Sequence, residues 1–196
     1  MKKLRRFTYN NIVTISISIV FILVYVVNTC VGDHAVFNSL SGSGFRKLNG
    51  QVYRIFTASF LHASLLHLVA NIGALICVGS FLEKRLGSLK MLLIYASSDI
   101  VASLLFYGYM NECTNGNGSS IAIYAMFALL LVLWLRYPNE FLFSWHNPAF
   151  IYIMVYFFVG SFVSGNYTTI IIHAFSFVTG LVVSIILLKG NLLIEE

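Results

Sequence analysis

His67, Ser120 and His173 are polar side chains set in long apolar stretches, and each lies sixteen residues from the first charged group beyond its stretch: Glu83, Arg136 and Lys189 respectively. At 1.5 Å of rise per helical residue, that spacing puts all three about 24 Å above one boundary of a roughly 30 Å hydrocarbon core. A hydroxyl and two imidazoles at a common depth are the parts of an acyl-transfer site. His173 accepts the Ser120 proton, Ser120 attacks a carbonyl carbon, and His67 donates to the oxygen that becomes negative. Asn71 lies four residues after His67, on the same face of a helix, and points to the same region as a further donor. Ser120 follows Asn115-Gly116-Asn117-Gly118, a run that breaks helices, and Ser119 is a natural N-cap. The serine is thus expected at a helix start, where unpaired N–H groups and the positive end of the dipole suit an oxyanion. The Gly-rich run also admits water and an extended peptide to a residue below the membrane surface. Asp99 is the only carboxylate well inside an apolar stretch. Its distance from Lys90 puts it about 10 Å below the Ser/His level, so the pattern reads as a Ser–His dyad.

The elements that must hold these residues are membrane helices. The chain of 196 residues is 59% hydrophobic and 10% charged, with a mean hydropathy of +0.86. Such a composition excludes a soluble domain with a polar surface. Six apolar stretches of spanning length fall at about 11–31, 60–82, 89–110, 119–135, 148–165 and 167–188. They predict an all-α, polytopic bundle of six transmembrane helices, because an open sheet leaves backbone groups unpaired in lipid and the stretches lack the alternation of a barrel. Residues 11–188 are expected to form the membrane domain, flanked by cytoplasmic segments 1–10 and 189–196. No internal repeat and no second domain are evident.

Nine cations (Lys2, Lys3, Arg5, Arg6, Lys84, Arg85, Lys90, Arg136 and Lys189) fall on one side of such a bundle, against Arg46, Lys47 and Arg54 on the other. Both termini are therefore expected to be cytoplasmic, and the formal charge of +5 reports topology. Short juxtamembrane groups present no folded basic face, which argues against nucleic acid as a partner. The first apolar stretch is too long for a signal h-region and Val-Asn-Thr-Cys is no cleavage site, so that helix is expected to be retained. The three cysteines, Cys30 and Cys113 among them, are expected to be free thiols.

The outward segment 32–59 contains a flexible run, Ser39-Leu40-Ser41-Gly42-Ser43-Gly44, and ends in Tyr53-Arg54-Ile55-Phe56, an aromatic and cationic mix suited to the outer leaflet. His62 is expected at the interface and His34 and His146 in loops. Asp99 should be hydrogen-bonded amid Ser97, Ser98 and Ser103, and Glu83 with Arg85 should shape a cytoplasmic turn. No metal or cofactor is expected: a zinc protease would want His-Glu-x-x-His, and an aspartyl pair would need two intramembrane acids.

At these residues the sequence resembles the rhomboid family of intramembrane serine proteases, over about 53–188. Tyr53-Arg54 stands where the family has Trp-Arg, followed by Thr57 and by Phe60-Leu61-His62-Ala63-Ser64-Leu65-Leu66-His67-Leu68-Val69-Ala70-Asn71 with its His-x-x-x-Asn. Leu82-Glu83-Lys84-Arg85-Leu86-Gly87-Ser88, Gly118-Ser119-Ser120 with Tyr124 and Ala125, and His173 with Gly180 complete the match. The resemblance implies Ser120 as nucleophile, His173 as general base, His67 and Asn71 as oxyanion donors, and Tyr124 as support for the His173 ring. It also implies Gly118 in the nucleophile motif and Gly180 as a packing glycine. Single-span membrane proteins cut near their outer end are the implied substrates, in a multi-pass protein of the cell membrane. Ile121 after the serine and Phe175-Ser176 after His173 depart from the family's small residues, both where the fourth and sixth helices should touch. A different class of function has the same fold: a rhomboid-like bundle that binds transmembrane helices without cutting them.

Overall fold

The computed structural model describes residues 11–31, 35–113, 115–137, 146–163 and 166–189. Lys2, Lys3, Arg5, Arg6, His34, the N-terminal segment 1–10 and the tail past Lys189 lie outside these residues. The described chain is helical, with no strand beyond a single Gly42–Gly116 bridge. Its helices are α1 (Ile12–Val31), α2 (Ala35–Leu40), α3 (Arg54–Thr57), α4 (Leu65–Leu86), α5 (Ser88–Tyr109), α6 (Ser120–Arg136), α7 (Pro148–Val163) and α8 (Tyr167–Lys189). Four of them, α1, α4, α5 and α8, are long and apolar enough to cross a membrane, and α6 and α7 are shorter apolar helices.

The second apolar stretch begins at Phe60 in the sequence, yet α4 starts at Leu65. Residues Ala58–Phe60 form a 3-10 turn that ends in extended Leu61, and Ser64 caps α4 by accepting from the His67 N–H at 3.2 Å. Hydropathy reads Phe60 and Leu61 as helix because both are apolar; the cap sets the real boundary.

Glu83 does more than shape a turn. Buried at the foot of α4, its carboxylate accepts from the Val13 and Thr14 N–H groups, both at 2.9 Å, from Thr14 Oγ1 at 2.8 Å and from Ser88 Oγ at 2.7 Å. One carboxylate thereby caps the first turn of α1 and reaches the first residue of α5.

Among the described helices, α6 and α8 make the most extensive contact. A Cβ on Gly180 would overlap the backbone of Ala125, so a glycine is what lets the two helices approach. Ser176 shares that face and is fully buried, its hydroxyl donating to Ile172 O at 2.6 Å. Phe175, expected in the seam, is not there: it stands 200° around the helix from His173. Its ring meets Tyr109 at 5.6 Å, in a cluster with Phe106 and Tyr107. Ile121 faces the cavity described below.

Residues 35–59 are more ordered than their Ser/Gly run suggests. Ser41 and Ser43 are buried, and Gly42 and Gly116 exchange backbone hydrogen bonds of 2.7 and 2.9 Å. Arg54 donates from Nε to Ser41 O at 2.6 Å and from Nη2 to Asn38 O at 3.0 Å, which ties α3 to α2 and to the residue that follows it. Tyr53 and Phe56 face outward while Ile55 is buried beneath them.

Candidate active site

Ser120 is the first residue of α6, held in place by the chain just before it. Gly118 adopts φ +99°, a left-handed backbone that favours glycine, and its N–H donates to Ala58 O at 3.0 Å. A Cβ there would stand 2.6 Å from Nε2 of His67, so the glycine also makes room for that ring. Ser119 precedes the helix but its side chain makes no capping bond, contrary to the sequence expectation; its hydroxyl is buried and has no partner among the described residues. With φ −78° and ψ 3° rather than the extended backbone of an N-cap, its side chain does not cap the first turn.

His67, Ser120 and His173 line one cavity of about 690 Å³, with Ile121, Tyr156 and Gly160 among its other walls. The three residues that the sequence set at one depth are thus brought together. Ser120 and His173 are 8% and 6% exposed, and among the described residues no hydrogen bond joins them. Asn71 is fully buried behind His67; its Nδ2 donates to His67 O at 2.9 Å and its Oδ1 accepts from the Tyr156 hydroxyl at 2.7 Å. An amide nitrogen has two hydrogens, so one remains for another acceptor.

Tyr124, one turn into α6, stacks on the His173 ring with centroids 3.9 Å apart and 16° between planes. Its hydroxyl lies 3.0 Å from Phe157 O, 3.2 Å from Tyr156 O and 2.9 Å from Ser161 Oγ, and that serine is also 2.9 Å from His173 Nδ1. Sequence reasoning did not pick out Ser161 or Tyr156; a lone serine and a tyrosine in the most aromatic stretch carry no spacing signal.

His62 departs from its expected interfacial place. It is 2% exposed, packed between Phe21 at 5.0 Å and His67 at 5.1 Å between ring centroids. Asp99 is hydrogen-bonded as expected, but to Ser59 Oγ at 2.6 Å rather than to the serines of its own helix. Ser59 adjoins Ala58, so Asp99 supports the residue whose carbonyl holds Gly118. Cys30, Cys77 and Cys113 are free thiols.

A multi-pass helical membrane protein with a serine at the head of a short internal helix, facing two histidines across one cavity, is the class that fold and cavity define. Within it the sequence pattern of the Rhomboid domain matches residues 49–190, and the chain belongs to the rhomboid family. It is similar to the protein named Rhomboid protease GlpG of Salmonella choleraesuis (strain SC-B67), 33% identical over 124 residues, 63% of this chain and 43% of that protein. The GlpG protein of Salmonella newport (strain SL254) is 32% identical over the same length and the same shares of the two chains. The Arabidopsis thaliana protein named Inactive RHOMBOID-like protein 8 is 35% identical over 95 residues, 47% of this chain and 27% of that one. The chain thus spans less than half the length of these relatives.

Proposed function

We propose that this chain is an intramembrane serine endopeptidase that cuts the transmembrane segments of single-span membrane proteins through a Ser120–His173 dyad. The observation that carries the reading is the shared cavity, in which one hydroxyl and two imidazoles from α4, α6 and α8 face the same space. In this reading all six apolar helices span the membrane, with both termini cytoplasmic, in the cell membrane.

His173 takes the Ser120 proton as the serine oxygen bonds to the substrate carbonyl carbon. The carbonyl oxygen becomes an oxyanion that receives hydrogen bonds from His67, from the free Asn71 N–H and from the Ser120 backbone N–H at the head of α6. His173 then returns the proton to the leaving amine, and water repeats the sequence on the acyl-enzyme. Tyr124 keeps the imidazole plane fixed throughout. Membership of the rhomboid family and likeness to proteins named as rhomboid proteases support this assignment.

A second reading is a rhomboid-like bundle that binds transmembrane helices without cutting them. It is favoured by the resting arrangement, in which Ser120 and His173 form no hydrogen bond among the described residues, and by likeness to a relative named as inactive. Catalytic hydrogen bonds of an empty site are often long and tighten with substrate, which leaves the protease reading the stronger of the two.

A serine-directed fluorophosphonate separates them. The detergent-solubilised protein should be labelled on Ser120, with labelling abolished by Ser120→Ala and by His173→Ala, and wild type in liposomes should cut a single-span reporter. Folded wild type that neither labels nor cuts overturns the protease reading in favour of the binder.

A further inference from the structure

Ser161 stands on α7, 7% exposed, with contacts on two sides. Its Oγ is 2.9 Å from His173 Nδ1 and 2.9 Å from the Tyr124 hydroxyl, and that hydroxyl is 3.0 Å from Phe157 O and 3.2 Å from Tyr156 O. The protons of this chain can be assigned by counting donors. A carbonyl oxygen only accepts, so the single Tyr124 proton is directed at the two carbonyls. The Tyr124 oxygen then accepts from Ser161, whose own single proton is spent there. Ser161 Oγ in turn accepts from His173, which puts the hydrogen of the neutral ring on Nδ1. Two other orders each leave a contact without a proton: Tyr124 donating to Ser161 and Ser161 to Nδ1 strips both carbonyl contacts, and Tyr124 donating to the carbonyls with Ser161 donating to Nδ1 strips the 2.9 Å Tyr124–Ser161 contact.

We propose that Ser161 is a positioning residue that, backed by Tyr124, holds His173 in the Nδ1–H tautomer and so leaves the Nε2 lone pair as the base toward Ser120. This rests on the reading of His173 as the general base. In Ser-His-Asp triads a carboxylate holds the corresponding tautomer. Here two neutral hydroxyls do so and end on main-chain carbonyls of α7. That arrangement suits membrane depth, because an ionised carboxylate there would itself need a partner. When the Ser120 proton moves to Nε2, the imidazolium keeps its Nδ1–H bond to Ser161, and Ser161 and Tyr124 keep their own protons. The proton on Nε2 is the one later given to the leaving amine, so nothing is lost or gained along the relay.

The test is 15N NMR of the full chain, labelled at histidine in detergent at a pH where the rings are neutral, with the His173 signals assigned by their loss in His173→Gln. Wild type should show a protonated Nδ1 and an unprotonated Nε2. Ser161→Ala should populate the other tautomer and slow fluorophosphonate labelling roughly 10- to 100-fold in protein that remains folded. Ser161→Thr, which keeps the hydroxyl, should restore both. Tyr124→Phe cuts the relay one hydroxyl further out while keeping the stacked ring, and it carries the same expectation if Ser161→Ala fails to fold. A protonated Nε2 in folded wild type overturns the proposal whether or not the protein labels. So does a folded Ser161→Ala with unchanged tautomer and labelling rate. Wild type with a protonated Nδ1 but no labelling upholds the tautomer assignment and overturns the protease reading instead.

Discussion

At the scale of single residues the site depends on backbone as much as on side chains. Gly118→Ala places a methyl in a left-handed backbone conformation and against the His67 ring. We expect a loss of about 1–3 kcal/mol in stability by SDS-driven unfolding, together with slower fluorophosphonate labelling. Unchanged values for both would show that the loop relaxes freely. Ser59→Ala removes the hydrogen bond that the buried Asp99 carboxyl accepts. An orphaned buried acceptor costs about 1–3 kcal/mol, and Asp99→Asn, which keeps a partner for Ser59, should lose less when both are compared by thermal unfolding in detergent. That His67, Ser120 and His173 would line one space was legible in the sequence, because equal spacing from a charged residue along three helices gives a like height in the bundle. His62 was misread, since its position near a boundary says nothing about whether Phe21 covers it. Ser161 was not legible at all, because its meaning comes from α7 packing against α8, a contact no local pattern encodes.

At the scale of elements, apolar runs located α1, α4, α5, α6, α7 and α8, and their ends depended on caps. The start of α4 is set by Ser64, and the start of α1 by a carboxylate some seventy residues away in the chain. Hydropathy sees neither, being blind to who accepts a hydrogen bond. Glu83→Ala should cost about 2 kcal/mol or more, since bonds to a charged acceptor are worth about 1.5–3 kcal/mol each and several go at once. Glu83→Gln keeps half of the acceptors and should fall between the variant and wild type in SDS-driven unfolding. Hydrogen exchange at Val13 and Thr14 should rise in both variants; protection equal to wild type would mean that water caps α1 as well as Glu83 does. The exposed pairs Arg46–Glu112 and Lys47–Glu112, each 3.4 Å, are a contrast. Their removal by Glu112→Gln should change stability by less than about 1 kcal/mol in the same assay.

At the scale of the whole molecule, the helices differ in what surrounds them. Twelve of the seventeen residues of α6 are buried, whereas only four of the twenty in α1 are. α6 is sheathed by protein and α1 borders the bilayer. The seam of α6 with α8 closes on Gly180, and Gly180→Leu should separate the helices, abolish labelling and lower the midpoint of unfolding; normal labelling would place the seam's tolerance far above that of a packed interior. The sheath also divides the ways in which substitutions can fail. A span that touches acyl chains must stay oily yet can vary in shape, because lipid flows around any contour. A span encased by its neighbours is freed from the demand for oiliness and bound instead by volume. Saturation mutagenesis scored by folded yield should therefore rank tolerance along α6 by side-chain size, with Ala122, Ala125 and Ala128 the least forgiving, and along the outward face of α1 by polarity alone.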